Sequence, residues 1–253
     1  MSSVVMDRYD ALEENQESTL KHFTLIFGLS QFAGALAVIF MAVLMGKYRG
    51  FGWHENPEMQ FSYHPLFMTI GMLFLFGEAI LSYRVFRHER KKFTKLLHGT
   101  LHAMVIVFAA VALKAVFDSH NYAEPPTPNL YSLHSWIGLT VCVAFLLQYA
   151  IGFLCFVFPG GTPDVRAMVM GYHRPVGLLM FCSCGTVSLM GLTEHTSWHV
   201  VKYQNLTGEG VVANLSGLCI VIYVALVAYL VGKEDYRRRP LPEEQNLQPL
   251  VAE

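Results

Sequence analysis

The stretch LHSWIGLTVCVAFLLQYAIGFLCFVF, residues 133–158, contains no charged side chain and has a histidine as its second residue. It exceeds the roughly 20 apolar residues that a helix needs to cross a bilayer. Five further apolar runs of similar character occupy residues 24–46, 61–83, 97–117, 172–192 and 211–231. Short polar connections separate them, none long enough to fold as a second domain. The sequence therefore predicts an all-α integral membrane protein with six transmembrane helices. A polar segment (1–23) precedes the six-helix domain (24–232), and a short tail (233–253) follows it.

Composition agrees. Hydrophobic residues make up 53% of the chain and charged residues 15%, against about 25% charged in soluble domains. A net charge of −1 argues against nucleic acid as a partner. Residues 1–16 are polar and acidic, unlike a cleavable signal peptide. The five cysteines fall in apolar stretches and read as small buried residues rather than a disulfide frame.

Lysine and arginine orient the helices. Arg84, Arg87, Arg90, Lys91, Lys92 and Lys95 crowd the second connection, and Arg166 and Arg174 lie around the fourth. Arg8 and Lys21 precede the first helix; Lys233, Arg237, Arg238 and Arg239 follow the last. If six helices alternate, all these share one face. The opposite face carries only Lys47, Arg49 and Lys202. Both termini are expected in the cytosol. The sequon at Asn205 then falls in a non-cytosolic loop.

Four of the eleven histidines, His64, His98, His134 and His173, sit at or just inside the starts of helices two to five. Imidazoles in a membrane are costly and call for partners. Helices two and four start on the non-cytosolic side, so His64 and His134 share one leaflet. His98 and His173 share the other. Pro65 and Pro175 suit a first helical turn, where a missing N–H costs little. Zinc calls for three or four protein ligands, and no Cys, Asp or Glu accompanies either pair. Two axial nitrogens between apolar, glycine-containing walls suit a haem plane. Four histidines that merely hydrogen-bond neighbouring helices would leave the same spacing.

Several motifs narrow this choice. Residues 129–136 (NLYSLHSW), 83–87 (YRVFR), 95–99 (KLLHG), 116–120 (VFDSH) and 208–214 (GEGVVAN) together resemble the cytochrome b561 family, in the same order and with matching histidine spacing. The resemblance spans about residues 46–214. It implies two haem b groups, one per leaflet, in a core formed by helices two to five, with His64/His134 and His98/His173 as axial ligands. It implies ascorbate as cytosolic donor, monodehydroascorbate or ferric iron as acceptor, and a homodimer. It places Arg84, Lys91, Lys95 and Arg166 at the ascorbate site. It places His120, with Asn121 and Tyr131 nearby, at the non-cytosolic substrate site, His120 carrying the proton that accompanies the electron. The implied location is a secretory-vesicle or endosomal/lysosomal membrane, with the plasma membrane as alternative.

A cationic mouth concentrates an anion such as ascorbate, although the positive-inside rule alone yields a basic loop. The leading expectation is transmembrane electron transfer from ascorbate to monodehydroascorbate. An ascorbate-dependent ferric reductase would use the same residues. A proton-coupled transporter would use the histidines as a relay around a midplane site, whereas here they lie near the two surfaces. Four features stay outside this frame: Glu78, read as neutral or paired with Arg84; Lys114, read as snorkelling; the pair His195 and His199; and residues 243–247 as a loose sorting signal.

Overall fold

A computed structural model describes residues 3–53, 56–241 and 244, with side chains from residue 21 onward. Arg8 and all but Glu244 of the 243–247 segment lie outside these side-chain descriptions. Among the described residues six helices are long and apolar enough to cross a membrane: α1 (Ser3–Tyr48), α2 (Pro57–Val85), α3 (Lys91–Asn121), α4 (Leu133–Phe156), α5 (Pro163–His199) and α6 (Gly208–Gly232).

Short polar residues set the helix starts. Asn56 caps α2 through the Met59 N–H, with Pro57 at the first position. Ser132 caps α4 in a reciprocal capping box with Ser135. Thr162 caps α5 ahead of Pro163, and Thr207 caps α6 through the Gly210 N–H. Such caps satisfy backbone N–H groups that the first turn leaves without partners.

α3 has 31 residues and α5 has 37, giving lengths of about 46 and 55 Å against a hydrocarbon core of about 30 Å. Both helices overshoot their apolar runs, and their polar ends carry Lys91, Lys95 and Arg166. The early starts of α5 and α3 correct three expectations. His173 lies more than two turns inside α5 rather than at its start, Pro175 is internal, and His98 likewise lies about two turns inside α3. The proline ring deprives the Gly171 carbonyl of its usual donor.

Cross-links between helix ends establish the alternation. Arg84 at the end of α2 donates to the Val231 carbonyl at the end of α6, and Lys95 donates to the Phe156 carbonyl at the end of α4 (2.8 Å). Arg238, beyond α6, donates to the Glu89 carbonyl (2.8 Å) between α2 and α3. These ends form one basic face. At the other face Arg49, after α1, pairs with Glu209 at the start of α6 and donates to the His199 carbonyl at the end of α5.

α1 lies along α6, α2 against α3, and α4 against α5. Lipid tails are as apolar as the side chains, so close packing rather than hydrophobic expulsion holds such helices together. Phe76 (α2) meets Phe145 (α4) at 5.0 Å and Phe181 (α5) at 5.6 Å, edge to face. A Cβ at Gly77 would overlap the Tyr223 hydroxyl, so the Tyr223 ring fits against α2 because position 77 is a glycine. Tyr223 donates to the Phe74 carbonyl (2.9 Å) and contacts Glu78 (3.2 Å), which accepts from Gln31 (2.8 Å). Glu78 therefore engages α1 and α6 rather than Arg84. Lys114 pairs with Asp118 on its own helix (2.7 Å).

α2 changes winding partway. Thr69–Leu75 is π-helical, and the Phe76 N–H bonds the Gly71 carbonyl five residues back. All five cysteines are free thiols.

Candidate functional site

The four histidines converge in two pairs. His64 and His134 have ring centroids 6.2 Å apart, as do His98 and His173. Three of them spend Nδ1 on a backbone carbonyl of a neighbouring helix: His64 on Ala112 (3.3 Å), His134 on Val187 (2.9 Å) and His98 on Ala79 (2.8 Å). A carbonyl only accepts, so Nδ1 carries the hydrogen and Nε2 keeps a free lone pair. Metal-ligating histidines are oriented in this way.

The separation fits a single metal between each pair. A metal–imidazole bond of about 2 Å plus a ring radius of about 1.1 Å places two opposed centroids about 6 Å apart. Glycines make room for the rings. A Cβ on Gly191 would stand 2.7 Å from His134 Cε1, and one on Gly152 would stand 3.2 Å from His173 Cε1. Among the described residues, no group of three or more His, Cys, Asp or Glu is arranged to hold a metal ion. The donors on offer are two imidazoles per site.

Around His64 and His134 a cavity is lined by Met72, Gly138, Val141, Cys184 and Gly191. Its mostly apolar lining suits a haem plane. Toward its mouth lie His120, Asn129, Tyr131, Trp198 and His199.

At the basic face the expected substrate residues divide. Lys91, Lys92 and Arg166 lie within electrostatic range of Lys95; Lys91 and Arg166 are exposed and Lys95 is half-buried. Arg84 is buried against α6, with one guanidinium nitrogen unpartnered, and its cationic neighbours are Arg174 and Arg237. Beside His98, the buried ring of His102 lies at 4.4 Å and its Nδ1 has no partner. Gln148 donates to the His173 carbonyl (3.2 Å).

At the other mouth His120 Nδ1 meets Asn129 Oδ1 (3.1 Å), and Asn129 donates to Asn121 (2.8 Å). Asn121 thus supports the site through Asn129 rather than lining it. Tyr131 stacks on Trp198 at 6.1 Å. Partial burial and the Glu194 carboxylate raise the Tyr131 phenol above its ordinary pKa, keeping it a neutral donor. Asn129 was not singled out from the sequence, although it opens the NLYSLHSW motif. Phe61, Trp198 and Gly191 carried no sequence signal beyond their apolar or small character.

The sequence profile of eukaryotic cytochrome b561 matches residues 63–199, which span all four paired histidines. The chain belongs to this family. Cytochrome b561 membership makes it a membrane oxidoreductase that binds haem b, in keeping with the paired imidazoles. A Caenorhabditis elegans protein, named a transmembrane ascorbate-dependent reductase CYB561 homolog, is 41% identical, covering 94% of this chain and 93% of its own. The Sus scrofa transmembrane ascorbate-dependent reductase CYB561 is 41% identical over 86% of each chain. The Rattus norvegicus plasma membrane ascorbate-dependent reductase CYBRD1 is 36% identical, over 86% of this chain and 76% of its own.

Proposed function

We propose that this protein carries electrons from ascorbate in the cytosol across the membrane to monodehydroascorbate on the far side. The observation that carries this reading is the pair of facing imidazole sets at opposite ends of one helical core, each with centroids 6.2 Å apart. Two haem b groups, held by His98/His173 and His64/His134, supply one-electron redox chemistry when bound. Two imidazoles would hold each group, so the chemistry it would supply is electron transfer rather than substrate binding.

The protein's own residues do the rest. The basic face is cytosolic, with both termini on that side. There Lys91, Lys95 and Arg166 attract an ascorbate anion, and Arg84 lies one layer deeper. The dry aromatic contacts of Phe76, Phe145 and Phe181 exclude water between the sites. His120, oriented by Asn129, binds the acceptor at the far mouth, with Tyr131 beside it. The chain works as a homodimer in a secretory-vesicle or endosomal/lysosomal membrane. A transporter would require helices unwound around a midplane site; α2 stays helical throughout that region.

Purified protein titrated with ascorbate and then dithionite tests the reading. Two haems per chain, with a large ascorbate-reducible fraction, are expected. His98→Ala should halve the haem content and abolish rapid reduction by ascorbate. Wild-type protein without stoichiometric haem, or inert to ascorbate, would overturn it.

A further inference from the structure

A buried imidazole ordinarily commits at least one ring nitrogen to a hydrogen bond. His195 does not. It is 6% exposed, and both ring nitrogens are buried without a hydrogen-bond partner. It stands near the end of α5, on the wall of the cavity that holds His64 and His134. The Glu209 carboxylate lies 3.7 Å from its Nε2, too long for a hydrogen bond.

One turn further, His199 is exposed. Its ring lies 5.1 Å from that of His195, within 19° of parallel. An exposed and a buried titratable ring thus lead from solvent into the cavity. The surrounding groups are Glu194 on α5, Arg49 after α1, Glu209 on α6, and His120 on α3, whose ring stacks on the Phe61 ring that also stacks on His199. Arg49 and Glu209 pair with each other, leaving the local charge to the imidazoles. The stacked rings do not converge on one point. This argues for proton handling rather than metal binding.

We propose that His195 delivers the proton accompanying the electron to the acceptor at this mouth, and that His199 reloads it from solvent. The inference rests on the electron-exit reading above. Monodehydroascorbate, a radical monoanion, takes one electron through the His64/His134 site and one proton passed through the His195 ring, whose two nitrogens are uncommitted. An O–H bond forms, the product leaves as ascorbate monoanion, and His195 regains a proton by way of His199. His120 has one ring nitrogen engaged by Asn129; His195 keeps both free.

The test uses full-length protein in vesicles, pre-reduced by ascorbate on the basic side. Haem reoxidation is followed by rapid mixing with one of two acceptors on the other side. Monodehydroascorbate needs an electron and a proton; ferricyanide takes an electron alone. His195→Gln should slow reoxidation by monodehydroascorbate at least about tenfold, the low end of general acid catalysis, and flatten its decline with rising pH. Its rate with ferricyanide should change less than twofold. His199→Gln, an exposed change that spares the core, should shift the same ratio less, with rescue by imidazole buffer. Equal slowing with both acceptors, or no slowing with either, overturns the proton role. Wild-type protein that neither acceptor reoxidises overturns the electron-exit reading and this inference together.

Discussion

Gly191 offers a graded test of the far imidazole pair. A methyl group at this position would lie 2.7 Å from Cε1, 3.0 Å from Nδ1 and 3.3 Å from Nε2 of His134. Carbon contacts settle at about 3.5–4.0 Å, so in Gly191→Ala the ring must retreat by roughly 0.8 Å or α5 must move. Ligand distances tolerate only about 0.2 Å. Retreat also strains the 2.9 Å bond from His134 to the Val187 carbonyl, and loss of such an outer partner costs about 10–100-fold in metal affinity. Overpacking adds about 1–3 kcal/mol, which the chain sheds by letting the ring go. Haem per chain, measured as the pyridine adduct, should therefore fall from two toward one, with the ascorbate-reducible site retained. Gly152→Ala, whose methyl would lie 3.2 Å from His173 Cε1, needs a shift of only a few tenths of an ångström and should keep both. A Gly191→Ala protein with two haems and an unchanged spectrum would refute the assignment of His134.

Two further predictions concern the basic face. Lys95→Ala should raise the KM for ascorbate several-fold without changing haem content, and added salt should have a smaller effect on KM in this variant than in wild type; an unchanged KM removes Lys95 from the site. Glu244 accepts from the Lys91 N–H (2.8 Å) and from Arg238 (2.7 Å), and Arg238 holds its carboxyl down to about 2. A depressed carboxyl stabilises the contact above its ordinary pKa and loses that contribution as pH falls through the folded value. Protection of the Lys91 amide, relative to its intrinsic exchange rate, should therefore stay high from neutral pH to about 4.5, then fall toward pH 2. Glu244→Gln should exchange fast already at pH 7; slow exchange in that variant would show that the tail does not cap α3.

Much of the architecture was legible because membrane helices obey a length rule that apolar runs reveal directly. The histidine pairs were legible because helix alternation returns the chain to the same depth after two crossings. Helix ends were less visible. Residues 163–171 of α5 are polar or mixed, so hydropathy alone starts the helix near Tyr172 and misplaces Pro175 in its first turn. Partner choice was also hidden. Nothing in the sequence says that Glu78 reaches Gln31 and Tyr223 instead of Arg84 six residues on, since that depends on how α1 and α6 close over α2. Lys114 met Asp118 at the i, i+4 spacing that any helix provides, a signal available in the sequence but passed over. Asn129 and Trp198 enter the far mouth only because the α3–α4 connection folds over the end of α5.

The π-helical stretch Thr69–Leu75 has a consequence for how such a gene can change. It inserts extra backbone between His64, which serves one imidazole pair, and the Ala79 carbonyl, which orients His98 in the other. Were the same seven residues to rewind as ordinary α-helix, everything beyond them would turn by about 100°. The Ala79 carbonyl would swing away from His98, and Gly77 would no longer meet Tyr223. A single-codon deletion inside the stretch would remove the wide turn and keep the phase beyond it; one elsewhere between His64 and Ala79 would not. The two ends of α2 are locked in phase, so a change in reading length at one would be felt as lost ligand orientation at the other.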